Sequence, residues 1–274
     1  MTKRYRTVLA IAGSDGSGGA GIQADIKTIT ANQCYALSVI TAVTAQNTVG
    51  VDSTHLLDEK CITAQFRAIR RDIEIDAVKI GMLGSPGIIK TVASLLRELE
   101  GTPPVILDTP LGSSSGSMLL DPLALPILKE ELFGLATLIT PNIPEAALLT
   151  GMEEEPQTEE AIESAAKRLL ATGPGAVLIK GGHGEGRECR DCLLSDNRYF
   201  WFSAAKIETG NTHGTGCTLS SAIGAFMARG ESVVSAVEKA KSYTSEALMA
   251  GAGYRLGNGN GPLHHAYRLW QGFS

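Results

Sequence analysis

The sequence contains no long apolar run and no surplus of basic residues. None of its apolar stretches approaches the roughly 18 residues that a membrane-spanning helix requires. It has 24 Lys and Arg against 29 Asp and Glu, a formal net charge of −5, and the basic residues do not cluster. We therefore expect neither a nucleic acid nor a membrane to be a main partner of this protein.

Cysteines are few and scattered, with five in 274 residues. This odd, dispersed set is typical of a reducing compartment, so we expect a cytoplasmic protein. Cys189 and Cys192 form a CxxC pair, but no second pair accompanies it, and we do not expect a metal or redox role. The apolar stretch at residues 7–12 is too short for a signal peptide and is better explained as a first strand.

Short apolar runs alternate with helical patterns along the chain. Residues 7–12, for example, have the continuous apolar character of a buried parallel strand, and a further strand is predicted at residues 77–80. A helical pattern follows each. Residues 190–206 have instead the pattern of a hairpin. The alternation predicts one α/β domain over residues 1–274, with a mostly parallel sheet and helices on both faces.

Polar or glycine-rich segments stand at the predicted carboxyl ends of the strands. In open α/β sheets, ligands bind along this edge. The agreement among separate strand ends therefore predicts a functional site there, built from Gly13-Ser14-Asp15, Gln46-Asn47, Gly81-Met82, Asp108, Pro141-Asn142 and Lys180-Gly181-Gly182-His183.

The segment Gly214-Thr215-Gly216-Cys217 precedes a helical pattern near the C-terminal end. Its glycines allow close approach of a ligand, and the N–H groups and dipole of a helix start bind phosphates. The same field is expected to lower the pKa of the Cys217 thiol. The alternative is an ordinary glycine-rich turn that only leads into the helix. We favour an anion site beside a nucleophile or base.

A second glycine-rich segment, residues 16–21, matches the pattern G-x-G-x-x-G between a strand and a helix. A dinucleotide fold would need an acidic residue at the end of the next strand. That strand ends at Ala45-Gln46-Asn47, and no GxxxxGK[ST] phosphate loop occurs in the sequence. We therefore interpret residues 16–21 as a lid or a substrate-binding turn.

Asn142 and Glu145 follow one strand end, and Asp108 ends the preceding strand. Together they could share one Mg²⁺, directly or through waters, because Mg²⁺ prefers oxygen ligands. The alternative for Asn142 and Glu145 is a helix cap. Lys180, before two glycines, is a candidate phosphate ligand, with a solvated lysine as its alternative.

Six motifs occur in order between residues 8 and 261. They are residues 12–25 (AGSDGSGGAGIQAD), 44–48 (TAQNT), 79–84 (KIGMLG), 140–146 (TPNIPEA), 180–183 (KGGH) and 211–217 (NTHGTGC). This series closely resembles the hydroxymethylpyrimidine and phosphomethylpyrimidine kinases of the ribokinase-like superfamily. The resemblance implies a three-layer α/β fold, a homodimer, and small-molecule substrates.

The activity implied by the resemblance is a two-step kinase of thiamine biosynthesis. With MgATP, it phosphorylates 4-amino-5-hydroxymethyl-2-methylpyrimidine and then converts the monophosphate to the diphosphate. The resemblance also assigns the site residues. The anion hole is Gly214, Thr215 and Gly216; the base is Cys217; the pyrimidine pocket is Gly13, Asp25, Gln46 and Met82; ATP contacts Lys180, Asn142 and Thr212; and Asp108 and Glu145 serve Mg²⁺.

The chain differs from the family pattern at three points. Thr109-Pro110 stands where many members have Pro-Val, residues 112–116 (GSSSG) replace a loop that often carries Lys or Arg, and Gly16 replaces a common Pro. The first two differences lie near the expected metal and phosphate region and bear mainly on the second phosphorylation.

Two other functions are also compatible with these residues. A pyridoxal or pyridoxine kinase uses the same scaffold, and Cys217 could then add to the aldehyde of pyridoxal. The chain could also be a catalytically silent pyrimidine-binding regulator. The intact set of Cys217, Lys180, Asn142 and Glu145 argues against the silent regulator.

Overall fold

The computed structural model of this protein describes residues 3–109, 124–182 and 188–270. Pro110, the serine-rich segment 112–116 and His183, all named above, lie outside the described residues.

Nine strands of the described chain form one sheet. Their bounds are β1 (Thr7–Asp15), β2 (Tyr35–Gln46), β3 (Val51–Leu56), β4 (Ala77–Ile80), β5 (Val105–Leu107), β6 (Leu138–Ile139), β7 (Ala176–Ile179), β8 (Glu188–Ser195) and β9 (Arg198–Ala205). Their order in the sheet is β3-β2-β1-β4-β5-β6-β7-β8-β9. Pairing is parallel from β2 to β7 and antiparallel at β3, β8 and β9. The predicted mostly parallel sheet is confirmed, as is the hairpin formed by β8 and β9.

Helices cover both faces of this sheet. They are α1 (Gly21–Ala31), α2 (Glu59–Arg70), α3 (Pro86–Arg97), α4 (Ala124–Leu132), α5 (Ile143–Thr150), α6 (Glu159–Leu170), α7 (Thr215–Ala228) and α8 (Val233–Gly251), with a 3-10 turn at Phe133–Leu135. One apolar core lies between the sheet and α2 to α6. Two smaller cores join the other face to α1, α7 and α8. The three-layer arrangement expected for the ribokinase-like fold is therefore present.

The central strands are apolar at almost every position because both of their faces are covered. All four residues of β4 are buried, and so are the first seven of β1. Alternate residues of β5 enter different cores, Val105 and Leu107 on one face and Ile106 on the other. Among the described helices, none is long and apolar enough to cross a membrane.

Candidate active site

The turn before α7 has the geometry of an anion site. Gly214 adopts the left-handed conformation, with φ 84°, and α7 begins at the next residue. A Cβ added to Gly214 would lie 1.8 Å from the carbonyl oxygen of Gly19, so only glycine fits there. Gly214 has no side chain with which to cap α7. The first turn of α7 therefore presents backbone N–H groups toward the carboxyl edge of the sheet.

Lys180 and Asp108 lie beside this turn. Lys180 Nζ donates to Asp108 Oδ1 at 2.9 Å, and the side chain of Lys180 is only 15% exposed. A Cβ added to Gly216 would lie 3.4 Å from Lys180 Nζ and 3.6 Å from Asp108 Oδ2. Lys180 is therefore a largely buried cation beside the Gly214 turn and not a solvated strand-end lysine.

Electrostatics keep this pair charged. Burial alone would raise the pKa of Asp108, but Lys180 and Lys79 outweigh it and hold that pKa below the ordinary value. Burial alone would lower the pKa of Lys180, but Asp108 and Glu145 outweigh it and raise that pKa. An ammonium group thus lies near the helix start at neutral pH, with its counter-charge on Asp108.

Asn142 and Glu145 form a reciprocal helix cap at the start of α5. Asn142 Oδ1 accepts from the N–H of Glu145, and Glu145 Oε2 accepts from the N–H of Asn142, both at 2.8 Å. Thr109 Oγ1 lies 3.4 Å from the same carboxylate oxygen. A β-bridge joins Asn142 to Lys180, so the cap lies at the same corner as the lysine. The cap interpretation is confirmed and leaves the carboxylate within electrostatic reach of Lys180.

The predicted lowering of the Cys217 pKa is wrong. Burial raises the pKa of this thiol to about 11, and neighbouring Lys79 opposes the shift only in part. The N–H of Gly21, at the start of α1, also favours the thiolate without reversing the shift. Desolvation of the sulfur, together with the charges of Asp25 and Asp108, therefore outweighs Lys79 and the Gly21 N–H, and the thiol is protonated at neutral pH.

Gly13, Met82 and Gln46 lie at the carboxyl ends of neighbouring strands. A Cβ added to Gly13 would lie 3.3 Å from Met82 Sδ, so the absence of a side chain makes room for the thioether. Gln46 Oε1 accepts from Thr44 Oγ1 at 3.1 Å, and Gln46 Nε2 lies 3.4 Å from His213 Nε2. The sheet order brings these residues to the edge that also holds the turn at residues 214–217, called the anion turn below.

Asp25 lies elsewhere than the wall of the pocket that the resemblance implies. Its side chain has no exposed surface, and Oδ1 accepts from Lys79 Nζ at 2.8 Å and from Ser221 Oγ at 2.7 Å. Ser221 is one helical turn after Cys217 on α7, so this network lies below the thiol. Asp25 therefore joins β4 to α7 behind Cys217, through Lys79 and Ser221, and does not line the pocket.

Sequence reasoning missed the pair formed by Asp15 and His213. His213 Nε2 lies 2.8 Å from Asp15 Oδ2, and both side chains are buried. Asp15 also accepts from the N–H groups of Ser17 and Ala20, which fixes the glycine-rich turn. Burial would raise the pKa of Asp15, but these hydrogen bonds outweigh it and lower the pKa to about 2. The position of Asp15 at a strand end was the available signal.

Two other predicted features are placed without ambiguity. The carbonyl of Thr212 accepts from both the N–H and the hydroxyl of Thr215, so its backbone shapes the anion turn. Cys189 and Cys192 are three residues apart on β8 and point to opposite faces of the sheet. Within the described ranges, no group of three His, Cys, Asp or Glu side chains is arranged to hold a metal ion by itself.

Comparison with known proteins assigns the family. The sequence model of the phosphomethylpyrimidine kinase family matches residues 15–264. A hydroxymethylpyrimidine/phosphomethylpyrimidine kinase of Rhizobium meliloti is 43% identical over 263 residues, which is 96% of this chain and 98% of that protein. The corresponding protein of Escherichia coli is 43% identical over 262 residues, with the same coverage.

Solved structures agree with this assignment. A phosphomethylpyrimidine kinase of Clostridium difficile is 42% identical, with a TM-score of 0.77 over 88% of this chain and 98% of that one. A Bacillus subtilis pyridoxal kinase, solved as an ADP complex, is 34% identical, with a TM-score of 0.86 over 97% of this chain and 100% of that one. The chain therefore belongs to the phosphomethylpyrimidine kinase family and has the ribokinase-like fold.

Proposed function

We propose that this protein is the two-step kinase of thiamine biosynthesis. It transfers phosphate from ATP to the hydroxyl of 4-amino-5-hydroxymethyl-2-methylpyrimidine, and then phosphorylates the monophosphate to the diphosphate. The observation that carries this proposal is 43% identity over 96% of the chain to relatives named for both substrates.

Phosphoryl transfer depends on positioning and on neutralisation of charge on the phosphate oxygens. In our proposal the N–H groups at Gly214 and Gly216 receive the transferring phosphate. Thr215, whose N–H donates to the carbonyl of Thr212, holds the turn in shape and gives up that bond if it contacts the phosphate as well. Lys180 contributes a full positive charge beside Gly216, and Asn142 and Thr212 shape the rest of the ATP site. The bond to Asp108 keeps the ammonium of Lys180 at this corner before ATP arrives.

The residues of this corner fit a magnesium ion. Asp108 and Glu145 supply carboxylates from two different elements, and both act electrostatically on Lys180. With the hydroxyl of Thr109 they make a set of oxygen donors, as Mg²⁺ prefers. When bound by Asp108 and Glu145, the ion supplies further neutralisation of phosphate charge.

The acceptor lies against Gly13, Met82 and Gln46 in this proposal. A glutamine amide matches the donor and acceptor edge of an aminopyrimidine, and the methionine thioether suits a flat ring. Cys217 is a thiol in the free protein, where its pKa is about 11, and it takes the hydroxyl proton only when substrate binding lowers that pKa. The transfer step is loose and bond formation lags, so orienting the hydroxyl matters before its proton is removed.

Pyridoxal phosphorylation is the second candidate activity. It is favoured by one observation, the TM-score of 0.86 to the Bacillus subtilis pyridoxal kinase over the full length of that protein. Both activities share the anion turn and Lys180. The ring-binding residues Gln46 and Met82 distinguish between them, because they contact the part of the acceptor that differs.

We also propose that the chain forms a single kinase domain and works as a cytoplasmic homodimer. Only the family resemblance supports the dimer, and the scattered free cysteines support the reducing compartment. Light scattering coupled to gel filtration tests the dimer directly. A particle of one chain mass, 28.8 kDa, at micromolar concentration would contradict it.

A coupled ATP-consumption assay on purified protein tests the proposed activity. The hydroxymethylpyrimidine, its monophosphate and pyridoxal are compared under identical conditions. We expect turnover of the first two acceptors and a much lower kcat/KM for pyridoxal. Turnover of pyridoxal alone would instead establish the second candidate.

A further inference from the structure

Asp191, on β8, is a buried carboxylate with two partners that the proposed chemistry leaves unexplained. Its Oδ1 accepts from the N–H of Gly181 at 3.0 Å. Its Oδ2 accepts from Lys241 Nζ, on α8, at 2.7 Å. The side chains of Asp191 and Lys241 are 7% and 11% exposed. An ion pair therefore lies inside the interface between the sheet and α8.

The surroundings of this pair are apolar. Leu193, two residues along β8 and on the same face as Asp191, packs in one core with Val237 and Ala240 of α8. Burying two charges among such residues costs desolvation energy that their attraction only partly offsets. Apolar side chains of similar volume would fill this interface with equal stability, so packing does not explain why the ion pair is there.

The second partner of Asp191 supplies that explanation. Gly181 directly follows Lys180, and a Cβ added to Gly181 would lie 1.9 Å from the carbonyl oxygen of Arg190. The backbone at Gly181 is thus held against β8 both by its fit to Arg190 and by its hydrogen bond to Asp191. On the other side, the N–H of Lys180 donates to the carbonyl of Pro141 at 2.8 Å.

We propose that Asp191 is a positioning residue for Lys180. By accepting from the Gly181 N–H, it fixes the backbone from which the Lys180 side chain reaches the anion turn. Lys241 holds the carboxylate in place and balances its charge. This inference rests on the proposed function, in which Lys180 contacts a phosphate of ATP.

Two double variants test the inference. In Asp191→Asn with Lys241→Met, the amide oxygen still accepts from Gly181. In Asp191→Leu with Lys241→Met, the residue at position 191 has no acceptor for the Gly181 N–H. Both remove one acidic and one basic residue, so their net charge equals that of the wild type. Lys239→Met is the surface control on α8, because Lys239 forms its ion pair with Glu231 and both side chains are partly exposed, 46% and 30%.

We expect the leucine variant to raise KM for ATP by about fivefold, the effect of roughly one lost hydrogen bond. The asparagine variant and Lys239→Met stay within about twofold of the wild type. KM for the pyrimidine stays within about twofold in all variants, since its pocket residues lie at the ends of β1, β2 and β4, whereas Lys180 follows β7, three strands beyond β4 in the sheet. Amide exchange at Gly181, measured by NMR, is fast only in the leucine variant.

Equal KM values for ATP in the two double variants would overturn the inference. So would a parallel rise in KM for both substrates, which indicates general loosening of the fold. Lys180→Met, measured beside them, separates the two levels of the proposal. If it raises KM for ATP strongly while the double variants do not differ, only the role of Asp191 fails. If it has no effect, the assignment of Lys180 fails as well.

Discussion

Cys217 shows how two local effects compete at one residue. Lys79 and the N–H of Gly21 favour a thiolate, yet burial of the sulfur, with the charges of Asp25 and Asp108, raises the pKa to about 11. Removing solvent from a charged sulfur costs more than these groups return. The free protein therefore holds a thiol at this position. A base at Cys217 would need the pKa to fall when substrates bind.

The rate of alkylation measures the protonation state of Cys217 directly. We expect iodoacetamide to label Cys217 slowly at pH 7, with a rate that rises steeply toward pH 10 and beyond, because the thiolate is the reactive form. Mass spectrometry of peptides follows each cysteine separately, and exposed Cys61 is the internal control. Labelling of Cys217 at pH 7 at the rate of Cys61 would show a preformed thiolate and contradict the account.

Residues that act through the backbone or at strand ends could be placed from the sequence. Lys180, Asp108, Gln46 and the Gly214 turn lie together as predicted, because parallel strands end at one edge. Pairs that depend on distant partners could not be found. Asp25 and Lys79 are 54 positions apart, and Asp15 and His213 are 198 apart. Which buried carboxylate meets which cation is decided by packing between layers.

At the scale of elements, the start of α7 is defined by contact with the glycine-rich turn after β1. The left-handed Gly214 packs directly on the carbonyl of Gly19. The same residue and conformation occur past the other end of α7, where Gly230 has φ 90° and no neighbour within 4 Å of an added Cβ. Substituting Gly230 therefore tests backbone strain alone, whereas substituting Gly214 adds a steric clash to the same strain.

We expect Gly214→Ala to abolish measurable turnover, because the Cβ must displace either the anion turn or residues 16–21. Gly230→Ala has only the strain of a left-handed alanine, about 1 kcal/mol of stability, and keeps full kcat. Steady-state kinetics and urea unfolding of both variants check this. Full activity in Gly214→Ala would show that contact between the two turns is not needed.

Element boundaries followed from the sequence wherever burial was strong. The bounds predicted for β4, residues 77–80 (AVKI), are those observed. All four residues are buried, although Lys79 interrupts the apolar run and is neutralised by Asp25. The edge strand β3 was not predicted. Five of its six residues are exposed, so it has no apolar alternation to mark it. Its pairing with β2 is set by the backbone and the preceding turn.

At the scale of the whole molecule, His265 joins the C-terminal segment to the helical layer. Its ring nitrogen Nε2 lies 3.0 Å from Thr218 Oγ1 on α7, and its carbonyl accepts from the hydroxyl of Tyr243 on α8 at 2.7 Å. The hydroxyl of Thr218 donates its hydrogen bond to the carbonyl of Gly214. Its oxygen is therefore the acceptor toward His265, and the ring N–H of His265 is the donor. Burial, and secondarily nearby positive charge, lowers the pKa of His265 to about 4.

This shift predicts a loss of stability in mild acid. Between pH 6.5 and about 4 the unfolded chain binds a proton at His265 that the folded chain does not. Stability from this group is therefore complete above pH 6.5 and falls by about 3 kcal/mol as the pH approaches 4, at about 1.4 kcal/mol per pKa unit. Urea unfolding at several pH values measures the fall.

The matched variant is His265→Gln, whose amide can still donate to Thr218. We expect it to be less stable than the wild type at pH 7 but to lose much less stability between pH 6.5 and 4. The same pH dependence in both proteins would show that another group causes the acid loss.

The two-step phosphorylation is tested most directly by ³¹P NMR of one reaction mixture containing the hydroxymethylpyrimidine, excess MgATP and the wild-type protein. We expect a phosphomonoester resonance to rise first and then to decline as the two resonances of a pyrimidine diphosphate appear. Accumulation of the monoester without any diphosphate would contradict the second step. Absence of a pyrimidine phosphate would contradict the proposed function itself.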